Sequence, residues 1–206
     1  MKILSKILLF LIMVLTSINV TAEEIKMTNE KILVVYFSKA GEQYSVGNIT
    51  KGNTSIVADM IAEFTGADMF EVKVKNDNYP TEYKALTEVA LKEKKSAARP
   101  EIMGKIENFA EYTTIFIGTP NWWSDLPMAL YTFMGQYDWS NKTIIPFVTH
   151  EGSGLSSIPT KIKTATNPKI MLDGLAIFGH EAQNNQAEVK AEVINWLKQM
   201  GYDGAK

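Results

Sequence analysis

The sequence contains no cysteine and only two histidines, His150 and His180. The missing thiols exclude disulfides, thiolate metal sites, iron–sulfur clusters and a cysteine nucleophile. Two imidazoles also exclude a three-histidine metal site, although a site built from histidine and carboxylate ligands stays open. We expect neither a metal centre nor a catalytic side chain in this protein.

A strong charge of either sign is also missing. The chain has 206 residues and a net charge of -2, without a basic block, which argues against a nucleic-acid partner. The charged stretch 92–95 is expected at the solvated end of a helix. Apolar residues make up 46% of the chain, which is enough for a hydrophobic core, and the length suits one domain.

The N-terminus differs from the rest of the chain. Two lysines precede an apolar run from Ile7 to Leu15, and the small residues Val20-Thr21-Ala22 follow. This pattern predicts a secretory signal at residues 1–22 and one domain over 23–206. The alternative is a membrane anchor, but the apolar run is much shorter than the about 20 residues of a span. We therefore expect an exported protein, periplasmic or extracellular, with no stable membrane span after cleavage.

Apolar runs typical of buried strands alternate with amphipathic helical stretches. The five predicted strands span 32–37, 67–74, 113–118, 143–149 and 170–178. The predicted helices span 54–65, 81–95, 126–137, 155–165 and 187–200. This alternation predicts an α/β fold, a doubly wound parallel sheet with helices on both faces. Pro146, inside the fourth predicted strand, argues against a central position for that strand.

The first loop of interest follows the first predicted strand, because ligands of such sheets bind beyond the carboxyl ends of the strands. Ser38 and the segment Gly52-Asn53-Thr54-Ser55 offer hydroxyls, a glycine turn and the positive end of a helix, which favour a phosphate group. A helix N-cap without a ligand is the alternative. The stretch 47–54 also resembles a nucleotide P-loop, but Asn53 stands where that loop needs a lysine.

The second loop follows the third predicted strand and reads Pro120-Asn121-Trp122-Trp123. Two adjacent indoles are suited to stacking on a flat aromatic ligand. The alternative is that they cover the next helix without touching a ligand.

The third loop follows the fourth predicted strand and reads His150-Glu151-Gly152-Ser153-Gly154. Its glycines let backbone N–H groups approach the edge of a ring, and His150 or Glu151 can hydrogen-bond to that edge. A dinucleotide-binding pattern with Asp173 downstream is a rival interpretation, although Ser157 replaces its third glycine. His150 is alternatively a general base, or a residue that caps a turn.

Together, these motifs resemble the flavodoxin-like family of bacterial proteins that bind flavin mononucleotide (FMN). The similarity covers roughly residues 31–202 and rests on Tyr36-Phe37-Ser38, Gly52-Asn53-Thr54, Pro120-Asn121-Trp122-Trp123 and residues 149–154. It implies a five-stranded sheet of order 2-1-3-4-5. It also implies a phosphate held by Ser38, Asn53, Thr54 and Ser55, and an isoalloxazine flanked by residues 120–123 on one side and by His150, Glu151, Gly152 and Gly154 on the other.

The resemblance further implies electron transfer, with FMN supplying the redox chemistry. Electrons would pass to a redox partner protein or a small quinone-like acceptor. The alternatives are an FMN-dependent quinone or nitro-compound oxidoreductase, and a flavin-free binding module on the same fold. One departure from the family is the insertion 39–51, because shorter members pass almost directly from the strand serine to the glycine turn. Gly41-Glu42 therefore competes with Gly52-Asn53 as the tight turn.

Overall fold

The computed structural model describes residues 30–204 of the chain. The strands are β1 Ile32–Tyr36, β2 Gly41–Gln43, β3 Gly47–Ile49, β4 Asp68–Glu71, β5 Thr114–Pro120, β6 Thr143–His150, β7 Ile170–Met171 and β8 Leu175–Phe178. The helices are α1 Asn53–Thr65, α2 Tyr83–Lys95, α3 Met128–Met134, α4 Ile158–Thr166, α5 Gly179–Asn184 and α6 Gln186–Gln199. The predicted export signal lies outside the described residues. No helix within residues 30–204 is long and apolar enough to cross a membrane.

The main sheet has the predicted order. Its strands lie side by side as β4-β1-β5-β6-β7, and β8 also pairs with β6. All of these pairs are parallel. Because β7 and β8 together occupy the place of the fifth predicted strand, the order is 2-1-3-4-5. The α/β prediction is therefore confirmed.

Two buried clusters attach helices to the two faces of this sheet. Along β1, Leu33 and Val35 belong to the cluster that also contains side chains of α2, α3 and α4. Val34 and Tyr36 belong to the cluster that contains side chains of α1 and α6. Because successive strand residues point to opposite faces, a strand covered on both faces must be apolar throughout. The continuous apolar run of the first predicted strand satisfies this requirement.

The fifth predicted strand is divided into β7 and β8 rather than continuous. Thr143 and Ile144 of β6 pair with β7, whereas Phe147 to His150 pair with β8. Pro146 lies between these two sets and has no N–H group to donate. Opposite it the chain leaves the sheet, and a Cβ on Gly174 would lie only 2.8 Å from the Pro146 ring. The proline is compatible with a central strand because its neighbour is interrupted there.

The insertion after β1 forms a hairpin, β2–β3, which the sequence did not predict. The hairpin packs on the start of α2, where the Glu42 N–H donates to the Thr81 carbonyl at 2.7 Å. The Glu42 carboxylate accepts from the Tyr83 N–H at 2.9 Å. A Cβ on Gly41 would lie 2.8 Å from the Thr81 oxygen. Gly41 and Glu42 therefore pack against the start of α2. Gly52, and not Gly41, is the glycine that precedes α1.

Candidate functional site

Three loops meet at the carboxyl edge of the sheet, because the strands that lead into them are parallel neighbours. We call residues 37–52 loop 1, residues 121–127 loop 2 and residues 151–157 loop 3. Thr54, on the first turn of α1, and Thr149, which precedes loop 3, share a hydrogen bond of 2.7 Å between their hydroxyls. The Asn121 N–H donates to the Thr149 carbonyl at 2.9 Å. The side-chain amide of Asn121 donates to the Gly154 carbonyl at 3.3 Å. The structure thus brings the three predicted loops together.

Loop 1 ends in a tight collar around the start of α1. A Cβ on Gly52 would lie 2.2 Å from the Ser38 hydroxyl oxygen and within 2.9 Å of the Lys39 backbone nitrogen, so only glycine fits. The Ser38 hydroxyl accepts a hydrogen bond from the Ser55 N–H at 3.0 Å. Gly52 provides no side-chain cap, and the first turn of α1 carries no acidic residue. These are the properties of a helix start that accepts an anion.

The side chains of Asn53 and Thr54 are both hydrogen-bonded within the protein. The Asn53 amide oxygen accepts from the Gln183 amide at 2.7 Å, and the same Gln183 amide donates to the Lys51 carbonyl at 2.8 Å. Thr54 is buried and holds Thr149. Of the predicted phosphate residues, Asn53 and Thr54 therefore offer their backbone to a ligand, while Ser38 lies directly at the helix start.

The two adjacent tryptophans of loop 2 have different surroundings. Trp122 points inward and contacts the rings of Phe37 and Tyr79 edge to face, with centroids 5.3 and 5.6 Å away. Trp123 remains 49% exposed, and its indole N–H donates to the Thr87 carbonyl of α2 at 3.0 Å. Trp123 also has a φ of 58°, which is rare for a bulky side chain. Trp122 therefore packs against residues outside the next helix, whereas Trp123 stays accessible.

Loop 2 is held by Asp125, a residue that the sequence analysis missed. This residue is 5% exposed. The carboxylate accepts from the Tyr131 hydroxyl at 2.8 Å and from the Lys161 ammonium at 2.7 Å. Burial, followed by the bond to this carboxylate, raises the pKa of Tyr131 well above its usual value. Since an aspartate just before a helix usually caps that helix, its sequence context did not reveal this role.

His150 shapes the turn at the start of loop 3. Its Nδ1 accepts a hydrogen bond from the Gly152 N–H at 2.9 Å, and Gly152 has a φ of 106°. Burial lowers the pKa of His150, which favours the neutral imidazole that such an acceptor requires. The ring of Phe178 lies between the rings of His150 and His180, at centroid distances of 4.4 and 5.2 Å. In this structure His150 caps a turn.

Glu151 joins loop 3 to the start of α5. Its carboxylate accepts from the His180 N–H at 2.8 Å and contacts the His180 Nδ1 at 2.7 Å. The hydrogen bond to Glu151 is the main reason that the pKa of His180 is raised. A Cβ on Gly179 would lie 2.2 Å from the Asn53 side-chain amide nitrogen, so this glycine allows α5 to approach the start of α1.

Sequence reasoning missed Gly179, His180 and Gln183, although one signal was available. These residues directly follow the carboxyl end of β8, at the edge where ligands of this fold bind. Among the described residues, no group of histidine, aspartate and glutamate side chains is arranged to hold a metal ion.

Comparisons with known proteins cover nearly the whole described chain. A family model described as flavodoxin matches residues 31–200. A solved protein of Bacteroides uniformis, provisionally classed as a flavoprotein, is 26% identical, with a TM-score of 0.61 over 82% of this chain and 99% of that one. A flavoprotein of Lactobacillus acidophilus, solved in complex with FMN, is 19% identical, with a TM-score of 0.57 over 76% of this chain and 97% of that one. No curated protein sequence is significantly similar to this chain.

Proposed function

This chain belongs to the flavodoxin family, and we propose that it binds one FMN where loops 1, 2 and 3 meet and transfers electrons with it. The observation that carries this proposal is the collar formed by Ser38, Lys39 and Gly52 around the start of α1, where Gly52 provides no side-chain cap. The collar suits a phosphate monoester, because backbone N–H groups and a hydroxyl converge there with no acidic side chain in the first turn.

The phosphate would be held by the Ser38 and Ser55 hydroxyls and by the backbone of the first turn of α1. Asn53 and Thr54 hold the turn in place through Gln183 and Thr149. Their contribution is positional, because a fixed helix start needs no rearrangement to accept the anion.

The flavin ring would lie between loops 2 and 3. Bound FMN supplies one- and two-electron redox chemistry that no side chain of this protein offers. Trp123 would cover one side of the ring and exclude water from it, while Trp122 supports the loop from behind. The backbone of Gly152 and Gly154 would approach the other edge, since a Cβ at either position has no neighbour within 4 Å. A relative of the same fold holds FMN, which supports FMN as the flavin.

Titration of the purified protein with FMN, followed by quenching of flavin fluorescence, tests the cofactor. We expect saturable quenching at one FMN per chain. The Gly52→Ala variant should bind FMN about tenfold more weakly or worse, because its Cβ would displace Ser38 or Lys39 from the helix start. Gly135→Ala is the matched control: this glycine follows α3 with a φ of -72°, which suits alanine.

The titration, followed by a turnover assay with NADH or NADPH and a quinone, separates the competing functions. A folded protein that ignores FMN would contradict the proposal and favour a flavin-free binding module. An FMN-bound protein that steadily oxidises NADH or NADPH with a quinone would be an oxidoreductase rather than a carrier. A carrier holds FMN, shows no such turnover and passes electrons to another protein.

We also propose that the protein is exported, on the basis of the pattern in residues 1–22. Sequencing the N-terminus of protein recovered from outside the cytoplasm would test this. A mature chain that starts at Glu23 is expected, and an intact Met1 in the cytoplasmic fraction would contradict export.

A further inference from the structure

The outward face of α2 is basic, although the whole chain has a net charge of -2. Lys84, Lys92 and Lys95 are exposed along this face, together with Glu88 and the half-buried Leu91. We call these five residues the basic face. With three lysines and one glutamate, it has the opposite sign to the chain as a whole.

The lysines of the basic face are free of ion pairs. Lysines such as Lys39 and Lys190 pair with carboxylates. In the part of the chain that the structure describes, Lys163 and Lys198 are unpaired like the lysines of the basic face. Within residues 30–204, none of Lys84, Lys92 and Lys95 has such a partner. The helix dipole favours Lys92 and Lys95 in the last turn, but it disfavours Lys84 in the first turn. Helix stability alone therefore does not explain the pattern.

The basic face contains one apolar side chain. A shallow groove of about 510 Å³ is lined by Glu88, Leu91, Lys92, Lys95 and Ser96. Leu91 provides an apolar floor between two lysines. Charged residues are depleted from the cores of interfaces, so these lysines would contribute the polar rim of a contact around Leu91.

The basic face continues into loop 2 of the proposed flavin site. The Trp123 indole donates to the Thr87 carbonyl, which lies one residue before Glu88 on α2. The Lys94 ammonium donates to the Trp123 carbonyl. A partner on the basic face would therefore also touch Trp123, which belongs to the residue type most enriched among binding hot spots.

We propose that the basic face is the docking surface for a protein redox partner with an acidic surface. This inference rests on the proposed function, because such a partner must approach the flavin that loop 2 covers. Opposite charges on the two surfaces would speed their encounter and orient it.

A copper protein and a haem protein of opposite surface charge serve as probes. We expect protein reduced with dithionite to reduce the acidic protein plastocyanin faster than the basic protein cytochrome c at low salt. In each transfer the flavin loses one electron and copper(II) becomes copper(I), or haem iron(III) becomes iron(II). The plastocyanin rate should fall between about 10 mM and 0.3 M salt, because added ions screen exposed charges.

Charge-reversal variants test whether the plastocyanin rate depends on the lysines of the basic face. Lys92→Glu/Lys95→Glu should lower the low-salt plastocyanin rate about tenfold. The matched control Lys163→Glu/Lys198→Glu makes the same change in net charge at exposed lysines on α4 and α6, and should lower it much less. Equal losses in both variants, or a faster reaction with cytochrome c, would overturn the proposal.

A binding measurement keeps this inference separate from the flavin proposal. In NMR spectra, the chemical shift of the Trp123 indole N–H should change when the FMN-free protein is titrated with plastocyanin. The double variant Lys92→Glu/Lys95→Glu should abolish this change. Docking without FMN binding would support the surface and contradict the flavin function. FMN binding without docking would support the flavin function and contradict the docking surface. Lysine-dependent binding to phosphatidylglycerol vesicles but not to plastocyanin would assign the face to a membrane surface and overturn the proposal.

Discussion

The buried hydroxyl pair of Thr54 and Thr149 joins the start of α1 to the end of β6. Both side chains are at most 3% exposed, and their oxygens are 2.7 Å apart. Valine has nearly the shape of threonine, so Thr54→Val and Thr149→Val each remove one hydroxyl and leave the other buried without this partner. The double variant removes both.

The magnitudes follow from the cost of an unpaired buried hydroxyl. Each single substitution should lower the free energy of unfolding by about 1.5 kcal/mol, because the remaining hydroxyl loses its partner without regaining water. The double variant should lie within about 0.5 kcal/mol of the parent, since two apolar groups of the same shape leave nothing unpaired. The coupling energy is then about -3 kcal/mol, at the upper end for contacting residues.

Urea unfolding of all four proteins, without FMN, measures these energies. Equal slopes across the four proteins would show that the unfolding transition is comparable in each. By thermal unfolding, each single variant should melt about 3 to 6 °C below the parent. Additive losses in the double variant would refute the reasoning, because they would mean that the two hydroxyls do not depend on each other.

Three further substitutions test other parts of the structure. Trp122→Ala should lower the free energy of unfolding by about 2 to 3 kcal/mol. Trp123→Ala should lower it by less than about 1 kcal/mol but should weaken FMN binding. Equal losses of stability in the two variants would contradict the different surroundings of the two side chains. Lys142→Met should cost about 3 kcal/mol in urea unfolding, because the buried ammonium donates to three carbonyls of residues 109–112 at 2.6 to 3.2 Å; an unchanged midpoint would contradict this. His180 has a raised pKa, so its contribution to stability is complete below about pH 6.5 and is lost as the pH rises through the folded-state pKa. The stability difference between the parent and His180→Gln should therefore shrink from pH 6 to pH 8.5, and a constant difference would contradict the ion pair.

The sequence predicted the sheet well because buried parallel strands must be apolar throughout. The runs at 32–37, 113–118 and 143–149 correspond to β1, β5 and β6. It did not predict the division of the fifth strand, because that division depends on Pro146 lying opposite it in the neighbouring strand. Such a relation exists only once the strands are paired.

The site was predicted at the level of loops and less well at the level of side chains. The glycine turn before α1 follows from residue type and position, whereas the sequence left open which of the two adjacent tryptophans is exposed. The roles of Trp122 and Asp125 depend on contacts with residues distant in sequence, such as Tyr79 and Lys161. A local pattern does not contain those contacts.

The hairpin β2–β3 leaves and re-enters the fold at nearly the same point. A Cβ on Gly52 would lie 2.8 Å from the Lys39 carbonyl oxygen, so the residue after the insertion touches the residue that begins it. Chain length between two adjacent points can grow at a modest entropic cost. An ancestor could therefore have gained or lost this segment while Ser38 and α1 kept their spacing. In an alignment of the family, the gap at residues 39–51 would then mark an exchangeable surface segment and leave the glycine turn before α1 intact.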